Sequence, residues 1–216
     1  MPSIFDPIAD DYDTWYDTIE GSTLFQMETQ CLRTACQDYS GRWLEIGVGT
    51  GRFATALEID YGMDLSLPMI QKAVQRGIQA QVGSAEHLPY RDSSFDGVLM
   101  VLTLCFIQNP QVAIQNCFRI LKDKGSLVIG TIPADSPWGK AYMEQGAKGH
   151  PVYSHARFRN VSETLELVEN SNFKLKKSYS TLFGEPDNHR SSTMRIESGI
   201  VGGAGFVGML FEPTPR

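Results

Sequence analysis

The chain has 216 residues, enough for one large domain or for one domain with a cover. Hydrophobic residues make up 42% of the sequence and aromatic residues 10%, which predicts a packed core. The net charge of -6 disfavours nucleic acid and anionic membranes as partners, because binding to either needs clustered lysine and arginine. No apolar run approaches the roughly 18 residues of a membrane span, and the N-terminus lacks the basic and apolar regions of a signal peptide. We therefore expect a cytoplasmic protein without a membrane partner.

The cysteines show no metal-binding pattern. Neither a C-x-x-C pair nor a Cys/His spacing typical of a metal site occurs. Cys31 and Cys117 occupy apolar positions of predicted helices, so buried thiols are expected there. The sequence predicts no metal site.

Residues 1–40 are expected to form a helical N-terminal cover that precedes the sheet. Its first twenty residues carry six acids and no base. Apolar side chains then recur every three or four positions, which predicts a helix over residues 23–39, and Gly41 ends it. Aromatic residues are dense beside the acids of residues 8–17, which is unusual for a plain surface.

From residue 42 the chain alternates strands and helices, the pattern of a parallel α/β sheet. The strand Gly97–Leu102 is apolar on both faces, as a central parallel strand should be. Ser66 and Pro68 predict the start of a helix and Gly77 its end. The predicted elements are strand 43–46, strand 59–63, helix 66–76, strand 78–82, strand 97–102, helix 110–122 and strand 126–132.

Residues 134–160 interrupt this alternation with aromatic residues, glycines and prolines, and we predict an inserted cover over the sheet edge. Ser162 is expected to cap a helix through Val168. Two final strands, Phe173–Phe183 and Gly205–Phe211, are joined by a polar loop over residues 185–198. The chain 1–216 is thus predicted to be a single domain with a core at 41–133 and a last helix with C-terminal strands at 161–216.

The stretch Leu44–Phe53 joins a short apolar strand to a predicted helix through Gly47, Gly49 and Gly51. Glycine at such positions permits positive φ and lets a ligand approach the backbone. A strand, glycine turn and helix of this kind are typical of nucleotide binding at the carboxyl edge of a parallel sheet. A dinucleotide loop would need glycine at the sixth position, where Arg52 stands. A dinucleotide site and an ordinary tight turn remain alternatives to a site for another ligand.

The pattern G-x-G-x-G preceded by an acid, Glu45, resembles motif I of class I S-adenosylmethionine-dependent methyltransferases. Further segments resemble the family in the expected order: Gly62–Ser66 at the second strand, Gly83–Tyr90 after the third and Arg119–Gly125 before the fifth. The match covers about residues 42–133. It implies a Rossmann-like sheet, mostly parallel, with seven strands of which the last is antiparallel, flanked by helices and the two covers.

The resemblance implies S-adenosylmethionine as the cofactor. Asp64 ends the second strand, where an acid can accept hydrogen bonds from both ribose hydroxyls, and Leu65 would pack on adenine. Ser84 replaces the family's usual aspartate and would accept from the adenine amino group more weakly than a carboxylate. Ala85 would offer its backbone N–H to the ring. The predicted cofactor residues are Tyr12, Tyr16, Glu45, Gly47, Gly49, Gly51, Asp64, Leu65, Ser84, Ala85, Glu86 and Leu102.

Residues 12–16 resemble the lid of many small-molecule methyltransferases, in which aromatic side chains close over the cofactor. Under this interpretation Tyr12 and Tyr16 contact the ligand; the alternative is an amphipathic helix that only packs on the sheet. Arg52, on the first turn after the glycines, either binds a carboxylate of the cofactor or substrate or forms a surface ion pair.

Methyl transfer is an in-line displacement that needs alignment and exclusion of water rather than a catalytic triad. A general base is required only for a nucleophile that arrives protonated. Residues 104–107 stand where many relatives carry a His-His or similar pair, so that edge shows no obvious base. The weak catalytic candidates are His155, Tyr16 and Cys105. An exposed loop histidine and a packed thiol are the competing interpretations of His155 and Cys105.

We therefore expect a methyltransferase that acts on a small molecule. The aromatic and apolar residues of the two covers predict a closed, largely apolar pocket. The missing base suggests an acceptor that is already nucleophilic near neutral pH, such as a thiol. One alternative is a nicotinamide-dependent oxidoreductase, against which Arg52 speaks. Another is a non-catalytic scaffold that keeps the cofactor fold.

Overall fold

A computed structural model describes residues 3–37, 39–186 and 194–215, which form an eight-stranded sheet with helices on both faces. The α-helices are α1 Ala9–Trp15, α2 Ile19–Ala35, α3 Arg52–Ala56, α4 Leu67–Gln75, α5 Pro110–Ile120, α6 Pro137–Ala147 and α7 Val161–Glu169. The strands are β1 Trp43–Ile46, β2 Tyr61–Asp64, β3 Gln79–Val82, β4 Phe95–Val101, β5 Leu121–Thr131, β6 Phe173–Phe183, β7 Glu197–Ser198 and β8 Ala204–Pro213. Short 3-10 helices lie at Asp6–Ile8, Leu104–Phe106 and Tyr153–His155.

The strand order is β3-β2-β1-β4-β5-β8-β6-β7. The first five strands of this order pair in parallel, and β8 pairs antiparallel with both β5 and β6. Successive strands run outward from β1 in one direction and from β4 in the other. A crevice therefore opens where β1 and β4 meet, at their carboxyl ends. The predicted mostly parallel α/β sheet is confirmed.

The strand count is eight rather than the predicted seven. The additional strand, β7, pairs antiparallel with Tyr179 and Ser180 of β6, and it lies inside the segment predicted as a polar loop. Two residues of polar character carry no period-two apolar pattern, so the sequence offered no signal for this edge strand. Residues 187–193 of the same predicted loop lie outside the described residues.

Two apolar layers sandwich the sheet. On one side α2, α3 and α4 pack against the sheet through a cluster that includes Leu32, Trp43 and Phe53. On the other side α5 and α7 pack through a cluster that includes Phe95 and Val168. Within the part of the chain that the structure describes, no helix is long and apolar enough to cross a membrane.

The C-terminal strands tolerate their glycines because helices press closely on them. A Cβ at Gly205 would lie 2.3 Å from Cδ1 of Trp138 on α6, so only glycine lets this indole reach the sheet. β8 nevertheless pairs with β6 from Ala204 to Pro213. The predicted strand over residues 205–211 is therefore part of the sheet.

Several predicted boundaries were wrong by a few residues, and local hydrogen bonds explain the differences. α2 begins at Ile19 rather than residue 23, because Oγ1 of Thr18 accepts a hydrogen bond from the Gly21 N–H at 3.0 Å and caps the helix. α7 begins at Val161 because Asn160, not Ser162, caps it in a reciprocal capping box with Glu163. α2 also ends at Ala35 rather than at residue 39.

Candidate functional site

The glycine loop turns sharply at the carboxyl end of β1. Gly47, Gly49 and Gly51 have φ of 74°, 52° and 84°, all in the left-handed region that favours glycine. The N–H groups of Gly47 and Val48 donate to the carbonyl of Met63 at 2.7 and 3.0 Å, which anchors the loop to β2. The predicted need for positive φ at these positions is therefore confirmed.

The space around the three glycines differs. A Cβ at Gly47 would lie 2.2 Å from Oγ1 of Thr103, and a Cβ at Gly51 would lie 3.0 Å from the backbone of Ala73. A Cβ at Gly49 would meet only the ring of Tyr12, at 3.9 Å. Gly47 and Gly51 thus serve the packing of the loop, whereas Gly49 presents its backbone toward the N-terminal cover.

Asp64 lies at the end of β2 beside this loop. Its Oδ2 accepts a hydrogen bond from the Gly49 N–H at 3.0 Å, and its Oδ1 accepts from the Ser66 N–H at 2.9 Å. Burial raises the pKa of Asp64, and the two backbone donors partly offset that rise. These backbone donors hold the carboxylate at a fixed position at the carboxyl end of β2, beside the glycine loop.

Glu45 lies on β1 directly beneath the loop and is only 1% exposed. Burial raises its pKa well above the usual range, and a hydrogen bond from the Ala54 backbone offsets only part of this. Its Oε2 is buried without a hydrogen-bond partner in the described chain. A buried polar atom of this kind costs free energy unless something hydrogen-bonds to it, so it calls for a specific explanation.

Of the predicted adenine-side residues, Leu65 is 61% exposed at the carboxyl edge of β2, which leaves its apolar surface available. Oγ of Ser84 accepts a hydrogen bond from the Glu86 N–H at 3.2 Å, and Ala85 is buried. Leu102 follows β4 with a φ of 53°, a strained value for a non-glycine residue.

Glu86 is bonded to Asn109 at the start of α5. Its two carboxylate oxygens accept hydrogen bonds from the backbone and side-chain N–H groups of Asn109, each at 3.0 Å. These bonds lower the pKa of Glu86. The structure thus gives Glu86 a role in fixing the start of α5, and no contact joins its carboxylate to the glycine loop.

The N-terminal cover lies directly on the loop. The hydroxyls of Tyr12 and Tyr16 are 3.0 Å apart, and their rings meet edge to face with centroids 5.3 Å apart. Together with the loop they line a partly open cavity of about 20 Å³ that Glu45 and Phe53 also line. Such a cavity holds about one water molecule. Both predicted cover tyrosines therefore meet the predicted cofactor loop.

Salt bridges hold this cover in place. Asp13 on α1 accepts from Nε of Arg52 at 2.8 Å and from Arg76 at 2.9 Å, and Asp17 accepts from Arg52 at 2.9 Å. Burial alone would raise the pKa of Asp13, but the hydrogen bonds from the two arginines outweigh it and lower the pKa to about 2. Of the two interpretations of Arg52, the ion pair is the one observed.

The inserted cover contributes a stack of aromatic rings. The rings of Tyr142 on α6 and Tyr153 on the following 3-10 helix stack at 4.5 Å, and His150 stacks on Tyr153 at 4.4 Å. Phe158 adds to the stack at 6.2 Å from Tyr142. His155, the candidate base, is exposed on the same 3-10 helix, and no contact joins it to the glycine loop.

Cys105 is a thiol rather than a thiolate near neutral pH, because burial raises its pKa to about 12. Its Sγ donates to the carbonyl of Leu102 at 3.5 Å. The packed interpretation of this cysteine therefore fits the structure better than a nucleophile or base.

One buried acid was missed by the sequence reasoning. Glu28 lies on α2, is only 5% exposed, and has a pKa raised by burial to about 8. It lies on the same helix face as Leu24 and Cys31, because the three residues have the spacing i, i+4, i+7, and this face is the one predicted to be apolar. An acid interrupting an apolar face was the signal that could have drawn attention to it.

The comparisons with known proteins agree with this geometry. A family model described as a methyltransferase domain matches residues 44–129, which span β1 to β5. A Thermotoga maritima structure described as an S-adenosylmethionine-dependent methyltransferase, possibly a histamine N-methyltransferase, is 34% identical, with a TM-score of 0.89 and coverage of 98% of this chain and 99% of that one. The chain belongs to the class I S-adenosylmethionine-dependent methyltransferases.

Two further relatives of this methyltransferase extend the similarity over its covers. A Methanocaldococcus jannaschii protein is 36% identical over 210 residues, which cover 97% of this chain and 98% of that protein. A Mycobacterium tuberculosis protein is 37% identical over 196 residues, 91% of this chain and 69% of that protein. The similarity therefore reaches beyond the part matched by the family model and includes the segments that the resemblance in motifs left unassigned.

Proposed function

We propose that this methyltransferase transfers the methyl group of S-adenosylmethionine, held at the glycine loop, to a small molecule held between the N-terminal and inserted covers. The observation that carries the proposal is the meeting of three elements at one point. They are the uncrowded backbone of Gly49, the Asp64 carboxylate bonded to that backbone, and the oxygen of Glu45 that has no partner in the described chain.

The residues present fit the cofactor. The cofactor carries an ammonium group and ribose hydroxyls, which are donors, and Glu45 and Asp64 offer acceptors at the loop. The side-chain-free backbone at Gly49 leaves the ligand room beside Asp64. Leu65 offers apolar surface for adenine, and Ser84 and Ala85 would read its edge. When bound, S-adenosylmethionine supplies a methyl carbon already activated by the sulfonium.

The chain's own part in the reaction is to align the acceptor and to exclude water. Tyr12 and Tyr16 fill the loop's opening, and a nucleoside-sized ligand needs several hundred Å³, so both tyrosines have to move outward on binding. The ion pairs of Asp13 with Arg52 and Arg76 keep α1 close to the loop. We infer that the tyrosine pair then closes against the ligand.

A small acceptor suits the two covers. Aromatic rings from α1, α6 and the 3-10 helix at 153–155 enclose the space beyond the loop. The net charge of -6 makes nucleic acid an unfavourable partner, and action in the cytoplasm stays a prediction from the sequence. The Thermotoga maritima relative described as a possible histamine N-methyltransferase supports a nitrogen acceptor over the thiol first considered.

The loop assignment can be tested at Gly49. Alanine there fits sterically, since its Cβ would meet only Tyr12 at 3.9 Å, but it would occupy the space that the ligand needs. We expect calorimetry to show S-adenosylhomocysteine binding weakened at least about tenfold. Gly77→Ala is the matched control, because Gly77 also has a left-handed φ, of 88°, with nothing within 4 Å of the added Cβ.

Equal affinities in the two variants would contradict the loop assignment. Tight binding of a nicotinamide dinucleotide, with no heat from S-adenosylmethionine, would contradict the cofactor and favour the oxidoreductase alternative. Cofactor binding without turnover for any acceptor pool would favour the scaffold alternative.

A further inference from the structure

The mechanism above leaves one buried ionisable group unused. Glu28 lies on α2 with 5% of its surface exposed. Among the residues that the structure describes, no arginine, lysine or hydrogen-bond donor contacts its carboxylate, and burial is the sole cause of its raised pKa. Ionising a carboxyl group this buried is costly unless a counter-charge pairs with it.

Aromatic residues of both covers pack on the stretch of α2 that carries Glu28. The ring of Tyr16 meets Phe25 of α2 edge to face at 5.6 Å, and Tyr142 of the inserted cover packs against the apolar cluster that includes Leu24 and Met27 of α2. The hydroxyl of Tyr16 lies 3.0 Å from that of Tyr12, and the ring of Tyr142 stacks on Tyr153 at 4.5 Å. Glu28 therefore lies on the stretch of α2 where aromatic residues of the two covers meet.

The chemistry of this place favours a cation. One acid that can ionise and several electron-rich aromatic rings, with no basic side chain bonded to the acid in the described chain, favour a positively charged ligand. With a neutral or anionic acceptor Glu28 would stay protonated and gain no charge pair. An ammonium group would pair with it and gain the attraction of the aromatic faces as well.

We propose that Glu28 and the tyrosines of the two covers form the acceptor site and that the acceptor is a small molecule carrying a protonated amine. This inference rests on the proposed methyltransferase function and adds the class of substrate to it. The carboxylate would pair with the ammonium form of the amine when the substrate binds.

The same group would serve as proton acceptor. The amine nitrogen gives one proton to the Glu28 carboxylate, and its freed electron pair forms a bond to the methyl carbon. The bond between that carbon and sulfur breaks, and its electron pair stays on sulfur. The products are a methylated ammonium, a neutral thioether and a protonated Glu28, which releases its proton to solvent. A pKa of about 8 suits a group that accepts and releases a proton near neutral pH.

The test compares amines with alcohols of the same shape. Calorimetry would measure phenethylamine against phenethyl alcohol, and tryptamine against tryptophol, with S-adenosylhomocysteine present. We expect wild type to bind at least one amine about tenfold more tightly than its alcohol. In Glu28→Gln this preference should fall to within about twofold. Glu169→Gln removes the same charge from an exposed position on α7 and should keep the preference.

Each other result has a defined meaning. Alcohols that bind as tightly as amines, an undiminished preference in Glu28→Gln, or no binding of either amine would overturn the inference. Binding of S-adenosylhomocysteine alone is measured first in wild type and in Glu28→Gln. If wild type does not bind S-adenosylhomocysteine, the proposed function has failed. If wild type binds it but shows no preference for the amine, only the acceptor inference has failed.

Discussion

The glycine-loop edge and the two covers are built in different ways. At the loop edge the contacts are made by backbone groups: Gly47 and Val48 donate to Met63, and Gly49 donates to Asp64. In the covers the contacts are made by side chains, through ion pairs and stacked rings. Backbone contacts are available to many sequences with the same turn, whereas side-chain contacts belong to this sequence. The comparison teaches that the fold's backbone holds the loop edge, whereas the side chains of this particular sequence hold the covers.

The largest expected effect concerns the loop edge. Gly47→Ala should destabilise the protein by about 3 kcal/mol or more, because the added Cβ would lie 2.2 Å from Thr103 at a φ of 74°. Urea denaturation would measure the free energy of unfolding. The Gly77→Ala control carries only the backbone strain and should cost about 1 kcal/mol. An equal loss in the free energy of unfolding in the two variants would show that the glycine loop accommodates a Cβ as readily as the turn at Gly77 does.

The next effect concerns the buried acid of the covers. Glu28→Gln should raise the free energy of unfolding by a few kcal/mol at about pH 8. The folded-state pKa of Glu28 is about 8 against an ordinary value of 4.5, so the folded protein binds the extra proton between these values. Wild type therefore loses stability relative to the variant as the pH rises from about 4.5 to about 8. Tyr12, Tyr16, Tyr142, Tyr153, Cys31 and Cys105 surround this region, and burial raises the pKa of each of them.

Denaturation of both proteins across this pH range would measure the gap between them. A gap that does not widen with pH would mean that Glu28 is hydrated or paired in solution. That result would remove the contrast between an unpaired acid on α2 and the ion-paired acid Asp13 of the N-terminal cover.

The smallest of these effects concerns the attachment of the N-terminal cover. Asp13→Asn should cost about 2 kcal/mol near neutral pH, because the carboxylate accepts from both Arg52 and Arg76. The pKa of Asp13 falls from 3.8 to about 2 on folding, so its contribution is present above about pH 4 and disappears as the pH falls through about 2. Hydrogen exchange should show faster opening of α1 with unchanged protection of β1.

Asp11→Asn, at an exposed position on the same helix, is the control and should leave exchange unchanged. Protection lost equally from α1 and β1 in Asp13→Asn would mean that the cover and the loop edge open together.

Local sequence predicted the parts of the site that depend on local geometry. Gly47, Gly49 and Gly51 were recognisable because a tight turn with positive φ is available to few residues other than glycine. Asp64 was recognisable because it ends a parallel strand, and the carboxyl ends of parallel strands lie together at the sheet edge where ligands bind. The parallel strands β1 to β5 could be predicted from their apolar residues, since a continuous apolar run is typical of a parallel strand that is buried on both faces.

Pairing across long sequence separations was not available to that reasoning. The position of Arg52 in the sequence allows either a ligand contact or an ion pair, and only folding brings Asp13 close to it. Glu28 was hidden among the apolar positions of α2. Thr18 and Asn160 set helix starts that periodicity alone placed several residues later. β7 has two residues, and a two-residue strand exists only because β6 is there to pair with it.

The sequence by itself determined the sheet, the glycine turn and the family, because each depends on residue types at short spacing. The tertiary structure alone decided which charges meet and which remain unpaired. It joined Asp13 to Arg52 and Arg76, and it left Glu28 buried on α2. The physical reason is that burial and charge pairing depend on distances through space, and segments remote in sequence set those distances only when the chain has folded.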